Sequence, residues 1–165
     1  MKAFALPPFC LCVFLFFLPS PAVLAAEHGG RLDVLMYKNA GCACCNQWAA
    51  HLEKNGFRVK IEESANLAAR RRALGMDERF SSCHTAKIGK ILVEGHVPAA
   101  DVRRLLAEQS RPKTARSDVI GLAAPGMPQG SPGMESEQPE DFDTLLIRAD
   151  GSSSVYRRHL AKRNR

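Results

Sequence analysis

Hydrophobic and polar positions along the chain after residue 30 follow regular patterns. The stretch RLDVLMYK (31–38) predicts a buried strand, and FRVKIEE (57–63) predicts a second strand by its clean alternation. Between them, NQWAAHLEKNG has helical spacing, which predicts a helix with Asn46 as its N-cap and Gly56 at its end. The predicted order is therefore strand, loop, helix, strand.

The middle of the chain carries two further helical patterns with a hairpin between them. NLAARRRALGM predicts a helix that ends near Gly75, and AADVRRLLAEQ predicts a helix that opens after Pro98. The strands Thr85–Ile88 and Ile91–Glu94 are separated by a Gly89-Lys90 turn. With a cysteine-bearing turn between the first strand and the first helix, this order predicts a thioredoxin-like α/β fold, with a central mixed sheet flanked by helices.

The composition changes between residues 111 and 141, where Pro, Gly and Ser are frequent. This segment predicts a long irregular loop. After it, DTLLIRADGSSSVYRR predicts a closing hairpin that turns at Asp150-Gly151, and residues 157–165 are expected to form a basic tail. A chain of 165 residues fits one domain, which we expect to span 27–165.

The first 26 residues have the order of a secretory signal peptide. Lys2 gives a basic start, FCLCVFLFFLP (9–19) an apolar run, and SPAVLAA (20–26) small residues before a polar stretch. We expect cleavage after Ala25 or Ala26, and a periplasmic mature protein that is not inserted in the membrane. An uncleaved membrane anchor is the alternative, although the apolar run is short for a span.

Composition and charge narrow the function classes. Hydrophobic residues make up 45% of the chain and charged residues 24%, the balance of a protein that can bury a core. Much of the net charge of +6 lies in Arg70–Arg72 and in the tail from Tyr156. We interpret these clusters as a solvated helix face and a frayed tail, since stacking aromatic residues are not interleaved with them, and expect no nucleic-acid partner. Motifs of metalloproteases, serine hydrolases and phosphate-binding loops are missing from the sequence.

The candidate chemistry centres on GCACC, which places Cys42, Cys44 and Cys45 within four positions. Cys42 and Cys45 have the C-x-x-C spacing of thiol redox enzymes, in which a helix N-terminus activates one sulfur. The extra thiol of Cys44 would exchange with a disulfide between Cys42 and Cys45 and so scramble it. A soft metal ion such as Cu(I) or Zn(II), in contrast, gains a further ligand from Cys44. Structural disulfides are the default interpretation of cysteines in an exported protein, but a domain of this size does not need disulfides to stabilise its core.

Further donors lie in three later segments. Cys83 and His84 directly precede a predicted strand, which in a thioredoxin-like fold lies against the first cysteine loop, so Cys83 could complete a set of four sulfurs. His96 follows a strand end, where a side chain can face a site. Met127 and Met134 are thioethers in the irregular loop, which Cu(I) accepts as ligands; as apolar side chains, they would instead pin that loop to the core.

These residues lie in stretches that resemble the small periplasmic metal-binding proteins of copper-resistance operons, of the CopG type, long catalogued as a domain of unknown function. The similar stretches follow one another along the chain as YKNAGCACCNQWAAHLEKNGF, SCHTAKIGKILVEGHVPAADVRRLLAE, GLAAPGMPQGSPGME and SVYRRH. The resemblance implies a thioredoxin-like fold, copper as the metal, and a role in copper tolerance in a bacterial envelope.

By the same resemblance, the copper ligands would be Cys42, Cys44, Cys45 and Cys83, and His84 and His96 would be ligands or tuning residues. We expect the cysteines to bind Cu(I), several ions of which four thiolates could bridge, with interconversion of Cu(I) and Cu(II) as a further hypothesis. The alternative functions are a thiol–disulfide oxidoreductase that uses Cys42 and Cys45, and a metallochaperone that passes Cu(I) to an exporter or another envelope copper protein.

Overall fold

The computed structural model describes residues 31–111 and 117–161 of the chain. The predicted signal peptide (1–26) and the end of the predicted basic tail (162–165) lie outside these residues. None of the helices in the described ranges is both long enough and apolar enough to cross a membrane.

In the described residues a sheet of seven strands forms the centre of the structure, and the predicted α/β class with a mixed central sheet is confirmed. The strands are β1 (Leu32–Lys38), β2 (Phe57–Glu63), β3 (His84–Ile88), β4 (Ile91–Gly95), β5 (Val119–Ala124), β6 (Phe142–Arg148) and β7 (Ser153–His159). The helices are α1 (Ala43–Lys54), α2 (Leu67–Leu74) and α3 (Ala99–Gln109), and a 3-10 turn spans Glu78–Phe80. The assignment to the thioredoxin-like group of folds stays a prediction.

The topology of the sheet gathers several strand ends at one edge. The strand order is β2-β1-β3-β4-β5-β6-β7. β1 runs parallel to β2, and β4 runs parallel to β5, whereas the other neighbours are antiparallel. The carboxyl ends of β1, β4 and β5 therefore meet the amino end of β3. We call this side of the sheet the cysteine edge, because Cys42–Cys45, Cys83–His84 and His96 all lie at it.

Helices cover both faces of the sheet. α1 and α3 share the main apolar core with one face, where Trp48, Leu52 and Leu105 are fully buried. A smaller cluster lies on the opposite face, next to α2 and the 3-10 turn, and comprises Met76, Phe80, Leu92, Ala123 and Ile147. Burial on both faces holds the strand ends of the cysteine edge on a rigid support.

The start of α1 differs from the prediction. The helix begins at Ala43, with Cys42 in the N-cap position, so the predicted N-cap at Asn46 was wrong. The helix buries residues with the spacing i, i+3, i+4 and i+7, namely Cys45, Trp48, Ala49 and Leu52. Cys45 belongs to this apolar stripe, which places the helix start before it. Cys44 and Cys45 therefore lie in the first helical turn and not in a loop.

The predicted irregular loop over residues 111–141 contains β5, so that prediction was wrong for residues 119–124. β5 pairs with both β4 and β6 in the interior of the sheet. Gly121 makes this possible, because a Cβ at that position would overlap the carbonyl oxygen of Leu92. The irregular segment that does form covers residues 125–141, and we call it the strap. At the other end, β7 continues to His159, so residues 157–159 are strand and not tail.

Candidate metal centre

The cysteine edge brings together the four cysteines of the described residues. Cys42, Cys44 and Cys45 lie at the start of α1, and Cys83 lies directly before β3. Their sulfur atoms all lie within 4.8 Å of one another. The Sγ of Cys44 is 3.5 Å from the Sγ of Cys42 and 3.9 Å from the Sγ of Cys83. Two segments that are distant in sequence thus form one compact set of sulfurs, which we call the sulfur set.

Two members of the sulfur set are joined to each other. Cys42 and Cys45 form a disulfide, with their Cα atoms 5.4 Å apart, whereas Cys44 and Cys83 are free thiols. Metal ions bind thiolates, so a site made of all four sulfurs requires this disulfide to be reduced. The same residues therefore have the geometry of a C-x-x-C redox pair when oxidised and of a four-sulfur site when reduced.

The sulfur set lies at the margin of the core. Cys45 is fully buried, and the other three cysteines are half-buried. Burial, and to a lesser extent the neighbouring Cys44, raises the pKa of the Cys83 thiol to about 12. Cys83 is therefore protonated at neutral pH when no cation is near. A bound metal ion would supply the positive charge that favours the thiolate.

His96 contacts Cys83 through one ring nitrogen and the strap through the other. Its Nε2 lies 3.0 Å from the Sγ of Cys83, and its Nδ1 lies 2.8 Å from the carbonyl oxygen of Pro132. A carbonyl oxygen only accepts, so Nδ1 carries the proton and Nε2 of the neutral ring turns its lone pair to Cys83. Burial lowers the pKa of His96, which favours this neutral ring. His96 is thus an oriented nitrogen donor beside the sulfur set.

His84 lies on the inner side of Cys83. Its Nδ1 is 3.4 Å from the Sγ of Cys83, and its fully buried ring packs between Trp48 and His96, with centroid distances of 4.3 and 5.0 Å. Burial lowers the pKa of His84 to about 3, so the ring is neutral. Cys83, His84 and His96 form a second group of close donors that shares Cys83 with the sulfur set.

The strap closes over the cysteine edge from the side of α1. Gly133 has φ +83°, and a Cβ there would lie 2.7 Å from the backbone nitrogen of Trp48 and 2.8 Å from the carbonyl oxygen of Cys44. Only glycine allows the strap to approach the first two turns of α1 so closely. The strap thereby sets the position of the Pro132 carbonyl group that orients His96.

The two methionines of the strap follow residues that touch the cysteine edge. Gly126 accepts a hydrogen bond from the hydroxyl of Ser82, and Met127 comes next in the chain. Met127 is 52% exposed, so the alternative in which it pins the irregular loop to the core was wrong. Met134 follows Gly133 and is half-buried.

Two buried charged residues lie behind Cys83, and the sequence did not predict their pairing. Arg71 was expected on a solvated helix face, but it is only 4% exposed, and its Nε donates to Oε1 of the fully buried Glu94 at 2.9 Å. Burial raises the pKa of Glu94 to about 7, and the positive charge of Arg71 acts in the opposite direction. The two residues are 23 positions apart, on α2 and β4, so no local pattern indicates that they pair.

Comparison with known proteins gives one family match and two similar solved structures. A family model described as "Protein of unknown function, DUF411" matches residues 80–134. The structure titled "Copper resistance protein copG- Form 1" is 37% identical, covers 79% of this chain and 99% of its own, and superposes with a TM-score of 0.71. The structure titled "Copper resistance protein copG- Form 2" is 38% identical, covers 78% of this chain and 98% of its own, and superposes with a TM-score of 0.70. A search of curated proteins found no match.

The fold and the sulfur set define an α/β protein with a thiol-rich candidate metal site. With this identity over most of both chains, the protein belongs to the family of copper resistance protein CopG.

Proposed function

We propose that this protein binds Cu(I) through Cys42, Cys44, Cys45 and Cys83 and serves copper tolerance. The observation that carries the proposal is the approach of the four sulfurs to within 4.8 Å of one another. Thiolate sulfur is a soft ligand that selects ions such as Cu(I). The two similar solved structures are both of copper resistance proteins, which supports copper over other soft metals.

The sulfur set suits more than one copper ion. Cu(I) accepts low coordination numbers, and a thiolate sulfur can bridge two metals, so four thiolates from two segments can hold a small cluster. His96 presents Nε2 as a further ligand, and His84 acts as a ligand or as a neutral neighbour that tunes Cys83. Met127 and Met134 are weaker ligand candidates. In this proposal the protein works in the periplasm as residues 27–165, after removal of the signal peptide.

A redox step at the same site extends the proposal. The reduced Cys42–Cys45 dithiol can pass one electron to each of two Cu(II) ions, losing both thiol protons as the S–S bond forms. The products are two Cu(I) ions and the disulfide present in this structure. Cys44, Cys83 and His96 remain as donors for Cu(I). A copper-loaded protein that cannot be oxidised and reduced reversibly while it retains its metal would rule out this extension.

A thiol–disulfide oxidoreductase is the second candidate, and the Cys42–Cys45 disulfide at the start of α1 favours it. In that function Cys83 lies outside the exchanging pair. A Cys83→Ser variant should then still reduce a test disulfide, and the parent protein should hold no tight copper.

The proposal is tested by titrating the reduced protein with Cu(I) without oxygen and counting the bound ions by native mass spectrometry. We expect several copper ions in the parent and fewer in Cys83→Ser, because the variant removes the sulfur of the second segment. A parent that binds no tight copper, and readily forms the Cys42–Cys45 disulfide, would support the oxidoreductase instead. Transfer of the bound copper to an exporter would define the protein as a metallochaperone.

A further inference from the structure

The backbone of Ser82, the residue before Cys83, is held by two buried charges. Oε1 of Glu94 accepts a hydrogen bond from the N–H of Ser82 at 2.7 Å, and Nη2 of Arg71 donates to the carbonyl oxygen of Ser82 at 2.8 Å. The same Oε1 accepts from Nε of Arg71 at 2.9 Å. Both polar backbone groups of Ser82 are thus bound by one ion pair, which we call the Arg71–Glu94 clamp.

Stability alone does not explain the clamp. Arg71 is 4% exposed and Glu94 is fully buried, so both charges have lost their hydration. The attraction within such a pair often fails to exceed this loss, and apolar side chains of similar volume are often as stabilising or more so. What the ion pair provides, and apolar residues cannot, is a donor and an acceptor aimed at the backbone before Cys83.

The shape of the guanidinium group matters for this role. Its Nε, Nη1 and Nη2 reach three different acceptors, which are Glu94, Glu78 and Ser82. A lysine ammonium group is a point charge and does not reproduce this planar fork. The contact with Glu78 adds less, since the Glu78 side chain is partly solvated. The specific contribution of Arg71 is therefore its link between Glu94 and Ser82.

We infer that Arg71 and Glu94 are positioning residues that hold Cys83 in place for metal binding. The clamp ties the segment before β3 to α2 and β4, so that the Sγ of Cys83 lies 3.9 Å from the Sγ of Cys44 and 3.0 Å from Nε2 of His96. This inference rests on the proposed copper site and adds the residues that set its geometry. Its test includes a measurement without metal, which keeps it separate from the proposed function.

Two variants remove the contacts of the clamp and are expected to leave the fold intact. Arg71→Lys keeps a positive charge beside Glu94 but loses the fork that reaches Ser82. The double variant Arg71→Met/Glu94→Leu removes the clamp and leaves no buried charge unpaired, so its fold should persist. Asp101→Asn is the matched control, because Asp101 is also a fully buried carboxylate, and its partners Thr144, Arg157 and His159 lie outside the cysteine edge.

The first measurement is the yield of a Cys44–Cys83 cross-link with a short bifunctional thiol reagent. It uses the full chain, as processed by the host, with the Cys42–Cys45 disulfide intact and no metal present. Thermal unfolding of each protein shows that it is folded at the temperature of the reaction. We expect the yield to fall to a small fraction of the parent value in both clamp variants. Asp101→Asn should unfold at a lower temperature than the parent and cross-link equally well.

The second measurement is the Cu(I) affinity of the reduced proteins, by competition with a chromogenic chelator. We expect a loss of about tenfold or more in the clamp variants, the usual effect of removing a residue that orients a ligand. Unchanged cross-linking in folded clamp variants overturns the inference, whatever their copper affinity. Reduced cross-linking supports it even if the parent binds no copper, in which case the proposed function alone fails.

Discussion

The Nε2 of His96 lies 3.0 Å from the Sγ of Cys83, and this contact joins the end of β4 to the segment that enters β3. The orientation of the ring is set on its far side, where Nδ1 donates to Pro132 in the strap. The lone pair of Nε2 therefore points to the sulfur set before any metal arrives, and the site needs little rearrangement to use it.

Replacement of His96 tests this arrangement. We expect His96→Ala to lower the Cu(I) affinity by about tenfold, because the variant removes an oriented nitrogen donor while all four sulfurs stay. A competition titration of the reduced protein measures the change. His51→Ala is the control, since His51 is a half-buried histidine whose Nε2 accepts from the backbone of Ala99, outside the cysteine edge. Equal affinities of His96→Ala and the parent would exclude His96 as a ligand.

Substitution in the strap should affect the site from a distance. In Gly133→Ala the new Cβ would overlap the backbone of the first two turns of α1, so the strap must move and withdraw Pro132 from His96. Gly75→Ala is the control, because Gly75 also has positive φ but no atoms near its would-be Cβ. We expect the left-handed alanine to cost about 1–2 kcal/mol in either variant.

The overlap should lower the free energy of unfolding of Gly133→Ala by a further amount of about 1–3 kcal/mol. Chemical denaturation measures both values, and the Cu(I) titration should show a weakened site in Gly133→Ala alone. Equal losses of stability in the two variants would show that the strap does not press on α1 as the structure indicates.

The strand and helix pattern near the cysteine edge could be predicted because it is local. β2 has the predicted bounds, and the hairpin of β3 and β4 matches within one residue at its ends. The start of α1 was misplaced because Asn46 is a good N-cap and Cys45 was considered only as a ligand. The spacing of Cys45 to Trp48 and Leu52 is the signal that would have corrected it.

Other parts of the site depend on contacts between distant segments. Val119–Ala124 is an apolar run in a region rich in Gly and Pro. Its position between β4 and β6 depends on pairing with strands that are distant in sequence. The sequence does not indicate that Arg71 pairs with Glu94 or that His96 pairs with Pro132. The partners are 23 and 36 positions apart, and nothing in either local segment points to the other. The four cysteines were predicted as one set from thiol chemistry and family resemblance, and the structure does bring them together.

The count of reactive thiols tests the state of the sulfur set. Unfolded without reductant, the purified protein should show two reactive thiols, those of Cys44 and Cys83, and reduction should raise the count to four. Cys10 and Cys12 would add two more if the first 26 residues were retained, so the count also tests cleavage. A colorimetric thiol assay with intact-mass measurement distinguishes these cases. In protein whose mass shows that the first 26 residues have been removed, four thiols before reduction would show that the Cys42–Cys45 disulfide is not present.

Oxidation of the Cys42–Cys45 pair should control copper binding. The disulfide leaves Cys44 and Cys83 as the thiols of the site, so we expect the oxidised protein to bind fewer Cu(I) ions than the reduced protein. Paired titrations before and after reduction measure the difference, with a Cys42→Ser/Cys45→Ser variant as the control that reduction should not change. The same copper count in both states of the parent would mean that Cys42 and Cys45 are not ligands.

In the proposed site, sulfur from both segments coordinates Cu(I), and X-ray absorption at the copper edge identifies the neighbouring atoms of the metal. Reduced, copper-loaded parent protein should show the edge of Cu(I) with sulfur as the main neighbouring atom. Cys83→Ser should show fewer sulfur neighbours per copper or a lower copper content. A shell made mainly of nitrogen or oxygen, unchanged in Cys83→Ser, would contradict the proposed site.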